Sequence, residues 1–233
     1  MTRDQIIAKA RHFLNEEAAR FWANDELYSY GFTCELDLIR LLNDNYTKDY
    51  RERTDLIDTN SCPYFPDAAL VQLPAGFIRE VKIYTERTTV PIGDQSRLNE
   101  ADYVEFDNLH AYKEISYVVP TQREPIYWFD TIPAVETATG VELLKDCIGL
   151  SPAPTSEFKW HLIYLSAPAD WTTSNSTAPP LYPEAHELLV FGIARLALED
   201  DGEFTSAVRF EKLYNEGIQK LGIRPAIKKG TKP

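Results

Sequence analysis

At 233 residues the chain has room for one large domain or two small ones. Its 44% hydrophobic and 26% charged residues are ordinary for a globular protein with a sizeable core. A formal net charge of −12 leaves no overall attraction for phosphate backbones or anionic membranes. No apolar run approaches the roughly 18 residues of a membrane span, and Met1 to Asn15 lacks the apolar stretch of a secretory signal. Three widely spaced cysteines, Cys34, Cys62 and Cys147, read as reduced, packed thiols. Asn45-Tyr46-Thr47 and Asn175-Ser176-Thr177 match the glycosylation pattern, by chance on this reading.

In chain order, Thr2 and Gln5 have capping-box spacing, and Ile6, Ala10, Phe13 and Leu14 follow on one helical face. Phe21-Trp22 reads as a hydrophobic anchor. Asn24 is an N-cap for a second helix running to about residue 43, with Asp25 and Glu26 in its first turn and Gly31 weakening its middle. Asn43 to Pro66 is polar and turn-rich, a long loop with room for one helical turn.

Strand signals follow. Ala69 to Leu73 is a short apolar run closed by Pro74-Ala75-Gly76, and Val81, Ile83 and Thr85 alternate with polar neighbours. Gln95 to Tyr103 reads as a short helix. Ile115 to Val119, Ile126 to Phe129, Val141 to Ile148 and Trp160 to Leu165 read as strands of an antiparallel meander. Trp171 to Pro180 reads as an exposed polar loop. Glu184 to Glu199 is apolar almost all round, the pattern of a central buried helix. Asp200-Asp201-Gly202 ends it, and Phe204 to Leu221 is an amphipathic helix with Ala207, Phe210, Tyr214, Ile218 and Leu221 on one face. Gly222 suits a helix end, and the remainder reads as a flexible tail.

The expected fold class is therefore α+β: a helical bundle built from the N- and C-terminal helices, with an antiparallel β region inserted. Residues 1–66 and 181–222 would supply the bundle, 67–180 the β domain and 223–233 a basic tail. No acid follows Glu216, whereas Lys220, Arg224, Lys228, Lys229 and Lys232 do.

No catalytic constellation emerges. There is no Gly-rich phosphate loop and no nucleophile elbow. His12, His110, His161 and His186 are scattered, and the cysteines have no partner at zinc-site spacing, so no metal and no cofactor are expected. Asp200-Asp201-Gly202-Glu203 lacks the alternation of a calcium loop and reads as an interhelical turn. Tyr127, Trp128, Phe129, Trp160 and Tyr164 admit a sugar-stacking face, but within strands half of them would point inward, which favours core packing.

Five ordered stretches carry a resemblance. They are TRDQIIAKARHFLNE, ARFWANDELYSYGFTCELDLIRLL, VQLPAGFIREVKIY, GLSPAP with the strand after it, and YPEAHELLVFGIARLALEDDGEFTSAVRFEKLYNEGIQKL. In this combination the chain resembles the tailed-phage head-to-tail adaptor, or connector, proteins. The resemblance implies a non-enzymatic, ring-forming virion protein of the neck, assembled in the host cytoplasm. It implies a ring of twelve subunits beneath the portal, extending the DNA channel and docking tail or nozzle proteins. DNA would pass without sequence-specific binding, and no membrane is involved. The portal-binding segment would be the tail, with Ile223, Arg224, Pro225, Ile227, Lys228 and Lys229 as contacts. The departures lie at Asn43 to Pro66, Asp107 to Lys113 and the Ser/Thr/Pro loop before the last helices. Two rivals remain open at this point: a carbohydrate-binding or other interaction module, and a hydrolase with dispersed carboxylates.

Overall fold

A computed structural model describes residues 1–16, 21–42, 47–57, 60–62, 67–109, 120–135 and 142–221. The chain is mixed α+β, and it divides into two compact units. One combines Met1–Arg51 with Ala167–Pro233, and the other is Glu52–Ser166.

The first unit holds α1 (Arg3–Phe13), α2 (Asn24–Leu41), α3 (Pro183–Asp200) and α4 (Phe204–Leu221). Thr2 and Gln5 form the expected capping box: Thr2 N donates to Gln5 Oε1 at 2.9 Å, and Gln5 N donates to Thr2 Oγ1 at 3.2 Å. The second helix starts differently from expectation. Its N-cap is Ala23, whose N–H donates to Glu26 Oε2 at 2.8 Å. Asn24 is already helical, and its Oδ1 accepts from Arg11 instead.

Helix α3 packs against α1, α2 and α4, which explains its all-round apolar sequence. A methyl group on Gly192 would sit 2.6 Å from Cys34 Sγ, so this glycine permits the close approach of α2. Phe13, Phe191 and Phe210 bring α1, α3 and α4 together, with centroids 5.9–6.5 Å apart. Gly202, at φ 78°, makes the left-handed turn between α3 and α4.

At the centre of this unit lies a charged network. Glu35 on α2 is 0% exposed and Arg3 on α1 is 2% exposed. Arg3 Nη2 lies 3.4 Å from both Glu35 oxygens. Tyr50 Oη donates to Glu35 Oε1, and Trp171 Nε1 donates to Oε2. The other Arg3 nitrogen donates to Thr177 Oγ1 at 2.6 Å and Ser174 O at 3.2 Å. The guanidinium also sits over the Trp171 ring, 5.5 Å from its centroid. Burial and the Glu35 charge push the Tyr50 phenol far above its ordinary range.

The stretch expected to be an exposed loop therefore carries a fully buried tryptophan. Trp171 lies so close to Gly31 that a Cβ there would come within 2.4 Å of its ring. The apparent weakness in α2 is the space that this indole occupies. By contrast, Phe21 of the expected anchor is mostly exposed. The joint between α1 and α2 is instead held by Arg11, which donates to Glu16 Oε2 at 2.6 Å and Trp22 O at 2.9 Å.

The second unit contains two sheets. One has the order β1-β9-β4-β5, from Arg51–Asp55, Phe158–Ser166, Phe77–Arg87 and Leu98–Glu100. The other has the order β2-β3-β8-β7-β6, from Asn60–Ser61, Ala69–Gln72, Glu142–Ser151, Ile126–Val135 and Asp102–Tyr103. The pairs β2–β3, β3–β8, β7–β8, β4–β5 and β4–β9 are antiparallel, and β6 with β7 is parallel. The order is not a meander, because β4 pairs with β9 and β3 with β8 across long sequence separations.

Val71, Ile83, Tyr127, Ile148, Leu150, Phe158, Trp160, Leu162 and Tyr164 form one core drawn from both sheets. The alternate residues Leu70, Ile126 and Trp128 bury the other face of the five-stranded sheet with Val104 and Leu109. Two strands, β1 and β2, lie in the segment expected to be loop. The expected Gln95–Tyr103 helix is a 3-10 turn, Gln95–Arg97, followed by β5 and β6. The strand expected at Ile115–Val119 lies outside the described residues.

Two predictions follow from the helical unit. Breaking a buried ion pair from one side leaves an uncompensated charge. Glu35→Leu and Arg3→Met singly should each cost about 3–5 kcal/mol, and the double variant clearly less than their sum. Urea denaturation of the three proteins checks this.

The second concerns His186, buried in α3, whose Nδ1 accepts from the Met1 amino group at 2.9 Å and whose Nε2 donates to Pro179 O at 3.2 Å. Burial, and then the Met1 ammonium, hold its pKa below the ordinary 6.5. The unfolded chain takes up a proton near pH 6.5 that the folded chain refuses. This contribution to stability is complete above that pH and declines as pH falls through the folded-state value. Denaturation between pH 7.5 and 5 should show the decline, and His186→Gln should flatten it.

Candidate functional site

Among the described residues, one groove lies in the β unit. It has a volume of about 540 Å³ and is lined by Arg53, Tyr84, Glu86, Ile92, Arg97 and Leu98, among others. Its wall draws on β1, β4 and β5 of the four-stranded sheet, with β9 lying between β1 and β4. Arg53 lies on β1, Tyr84 and Glu86 on β4, and Leu98 begins β5. Side chains two apart on β4 share a face, which places Tyr84 and Glu86 together.

Beneath the wall, His161 on β9 is 2% exposed and bridges its neighbours. Its Nδ1 lies 2.7 Å from Asp55 Oδ1, and its Nε2 lies 3.2 Å from Glu86 Oε2. Its ring stacks on Tyr84 at 4.8 Å, and the Arg53 guanidinium lies over Tyr84 at 5.7 Å. Arg53 Nη2 is also 3.2 Å from His161 Nδ1. That nitrogen can donate to Asp55 or accept from Arg53, but not both at once.

The groove's rim is the loop 88–97, fixed by side-chain bonds to backbone. Arg97 donates from Nε to Glu86 Oε1 at 2.9 Å and from Nη1 to Val90 O at 3.0 Å. Arg87 Nε donates to Ser96 O at 3.0 Å, and Asp94 Oδ1 accepts from Ser96 N at 2.8 Å. The bond from Arg97 holds the Glu86 carboxyl below its ordinary range. Gly93, at φ 99°, supplies the left-handed turn at the tip. The loop is thus a pre-shaped edge of the groove rather than a floppy connection.

Among the described residues, no group of three or more His, Cys, Asp and Glu side chains could hold a metal ion. Cys34 is buried, and burial pushes its thiol up to about 12, which removes it as a nucleophile at neutral pH. Of the proposed sugar-stacking aromatics, Tyr127, Trp128, Trp160 and Tyr164 are all buried in the core, and Phe129 packs against it. Asp200 and Asp201 close α3, and Tyr30 Oη donates to Asp200 Oδ2 at 2.8 Å. The expected portal contacts, Ile223, Arg224, Pro225, Ile227, Lys228 and Lys229, lie outside the described residues, as does His110.

The groove was not visible in the sequence. Its only signals were Pro91 and Gly93 flanking an isoleucine, which punctuate a turn without revealing what the turn borders.

With this geometry in place, comparison with known proteins decides the class. A family model described as SU10 adaptor protein matches residues 1–231. The chain belongs to the SU10 adaptor protein family. A search of curated proteins found no match. SU10 adaptors are a phage head-tail adaptor family, so the chain is a structural phage adaptor protein and a component of the virion neck. No described helix of this adaptor is long and apolar enough to cross a membrane.

Arg97 tests whether the groove's edge is built as described. Arg97→Ala should raise protease cleavage within 88–97 several-fold, while costing only about 1 kcal/mol of global stability, because the Arg97–Glu86 pair is only partly buried. Limited proteolysis alongside thermal melting measures both.

Proposed function

We propose that this adaptor forms a closed ring, twelve subunits in number, seated beneath the portal and offering tail or nozzle proteins a docking surface. The family match over residues 1–231 carries the reading. Its work is non-enzymatic: shape and charge at contacts repeated about an axis. Many copies, each making modest contacts, supply the affinity. DNA passes through the channel without sequence-specific binding, and an acidic body favours that passage because like charges repel.

In the same reading the basic tail reaches the portal. Arg224, Lys228 and Lys229 meet portal carboxylates, while Ile223, Pro225 and Ile227 supply apolar contact.

Deleting residues 222–233 should leave the melting temperature within a few degrees of the parent and reduce binding to purified portal rings at least about tenfold. Co-sedimentation with portal rings measures the binding. Undiminished binding would remove the tail from the account.

A further inference from the structure

The groove's rim presents apolar surface to water in a fixed position. Ile92 is 89% exposed at the tip of loop 88–97, and Leu98 is 55% exposed at the start of β5. Both line the groove. A lone exposed aliphatic side chain needs no explanation. Here two of them border one concavity, and the loop is pinned by Arg87, Asp94 and Arg97, so the surface exists before any partner arrives.

The groove lacks the acidic excess of the rest of the chain. Four of the 24 bases follow Leu221, so residues 1–221 carry 20 bases against 36 acids. Among the residues lining the groove, two guanidiniums, from Arg53 and Arg97, balance two carboxylates, from Glu86 and Asp94. Glu86 is engaged by Arg97. Arg53 makes no ion pair with a carboxylate among the described residues. It rests on the Tyr84 face, which holds its charge at the groove wall.

The helical unit carries a surface of the opposite kind. Asp200, Asp201 and Glu203 are exposed at the turn between α3 and α4. Directly after them, Phe204 and Val208 are 67% and 60% exposed, one helical turn apart on α4. One surface sets aliphatic groups beside the Arg53 cation, and the other joins apolar groups to acids. Two different, complementary patches on one chain are what a head-to-tail contact between identical subunits requires.

We infer that the Arg53–Ile92–Leu98 groove is a subunit–subunit contact. It receives the acidic, apolar α3–α4 turn of a second copy of this chain. Arg53 meets the carboxylates of Asp201 and Glu203 there, and Ile92 and Leu98 cover Phe204 and Val208. The inference rests on the ring reading and names the surfaces that would close such a ring. It involves neither the tail nor the portal.

The test places a photo-cross-linking residue at position 92 of the full chain, irradiated with and without portal rings, with cross-links mapped by mass spectrometry. The expected product is a covalent dimer joining position 92 to the segment 200–208. Arg53→Glu should reduce that product at least about tenfold, and Arg53→Glu combined with Glu203→Arg should restore it, with circular dichroism unchanged throughout. A chain that gives no self-cross-link in either condition, cross-links from position 92 that map to portal, or a charge reversal without effect would overturn the inference. Portal binding that persists in any of these cases would leave the tail reading standing.

Discussion

The helical unit depends on one buried carboxylate. Glu35 is removed from water, and a carboxylate there is tolerable only because Arg3, Tyr50 and Trp171 supply charge and hydrogen bonds to its two oxygens. Those partners come from the start of the chain, from the 3-10 turn at Lys48–Tyr50 and from the segment that follows the β unit. The network can form only when chain segments more than 120 residues apart meet. It therefore enforces the arrangement in which residues 52–166 leave and return to a single helical unit. Apolar packing drives the collapse of α1 to α4, whereas the directional bonds at Glu35 select which segments come together.

The β unit applies the same logic at its surface. His161 ties three adjacent strands through Asp55 and Glu86, and Glu86 in turn receives Arg97 from the loop that edges the groove. Buried packing below thus fixes a polar layer, and the polar layer fixes an exposed shape. For a protein whose task is to fit other chains, such coupling matters, because a surface already held in its binding form loses little freedom on contact.

Periodicity made much of this legible beforehand. The capping box at Thr2, the apolar α3, the amphipathic α4 and the long strands β4, β8 and β9 all carry the repeat of their element. The misses share a cause: they are set by partners far away in sequence. RERTD has no apolar alternation, because β1 is a charged edge strand paired with β9, so composition alone marked it as loop. Trp171 stood in a run of Ser, Thr and Pro that reads as exposed, yet the space left by Gly31 and the acceptor offered by Glu35 draw it inside. Asn24 has the chemistry of a cap, but Arg11 claims its side chain. The groove depends on strands far apart in sequence being gathered into one sheet, and no local pattern could announce it.

The proposed function is symmetric assembly at the neck, with no bond made or broken. Electron microscopy of the purified protein mixed with portal rings tests it most directly. The account predicts closed rings of adaptor stacked coaxially on one face of the portal. Portal particles without added density, beside adaptor that remains monomeric, would contradict it.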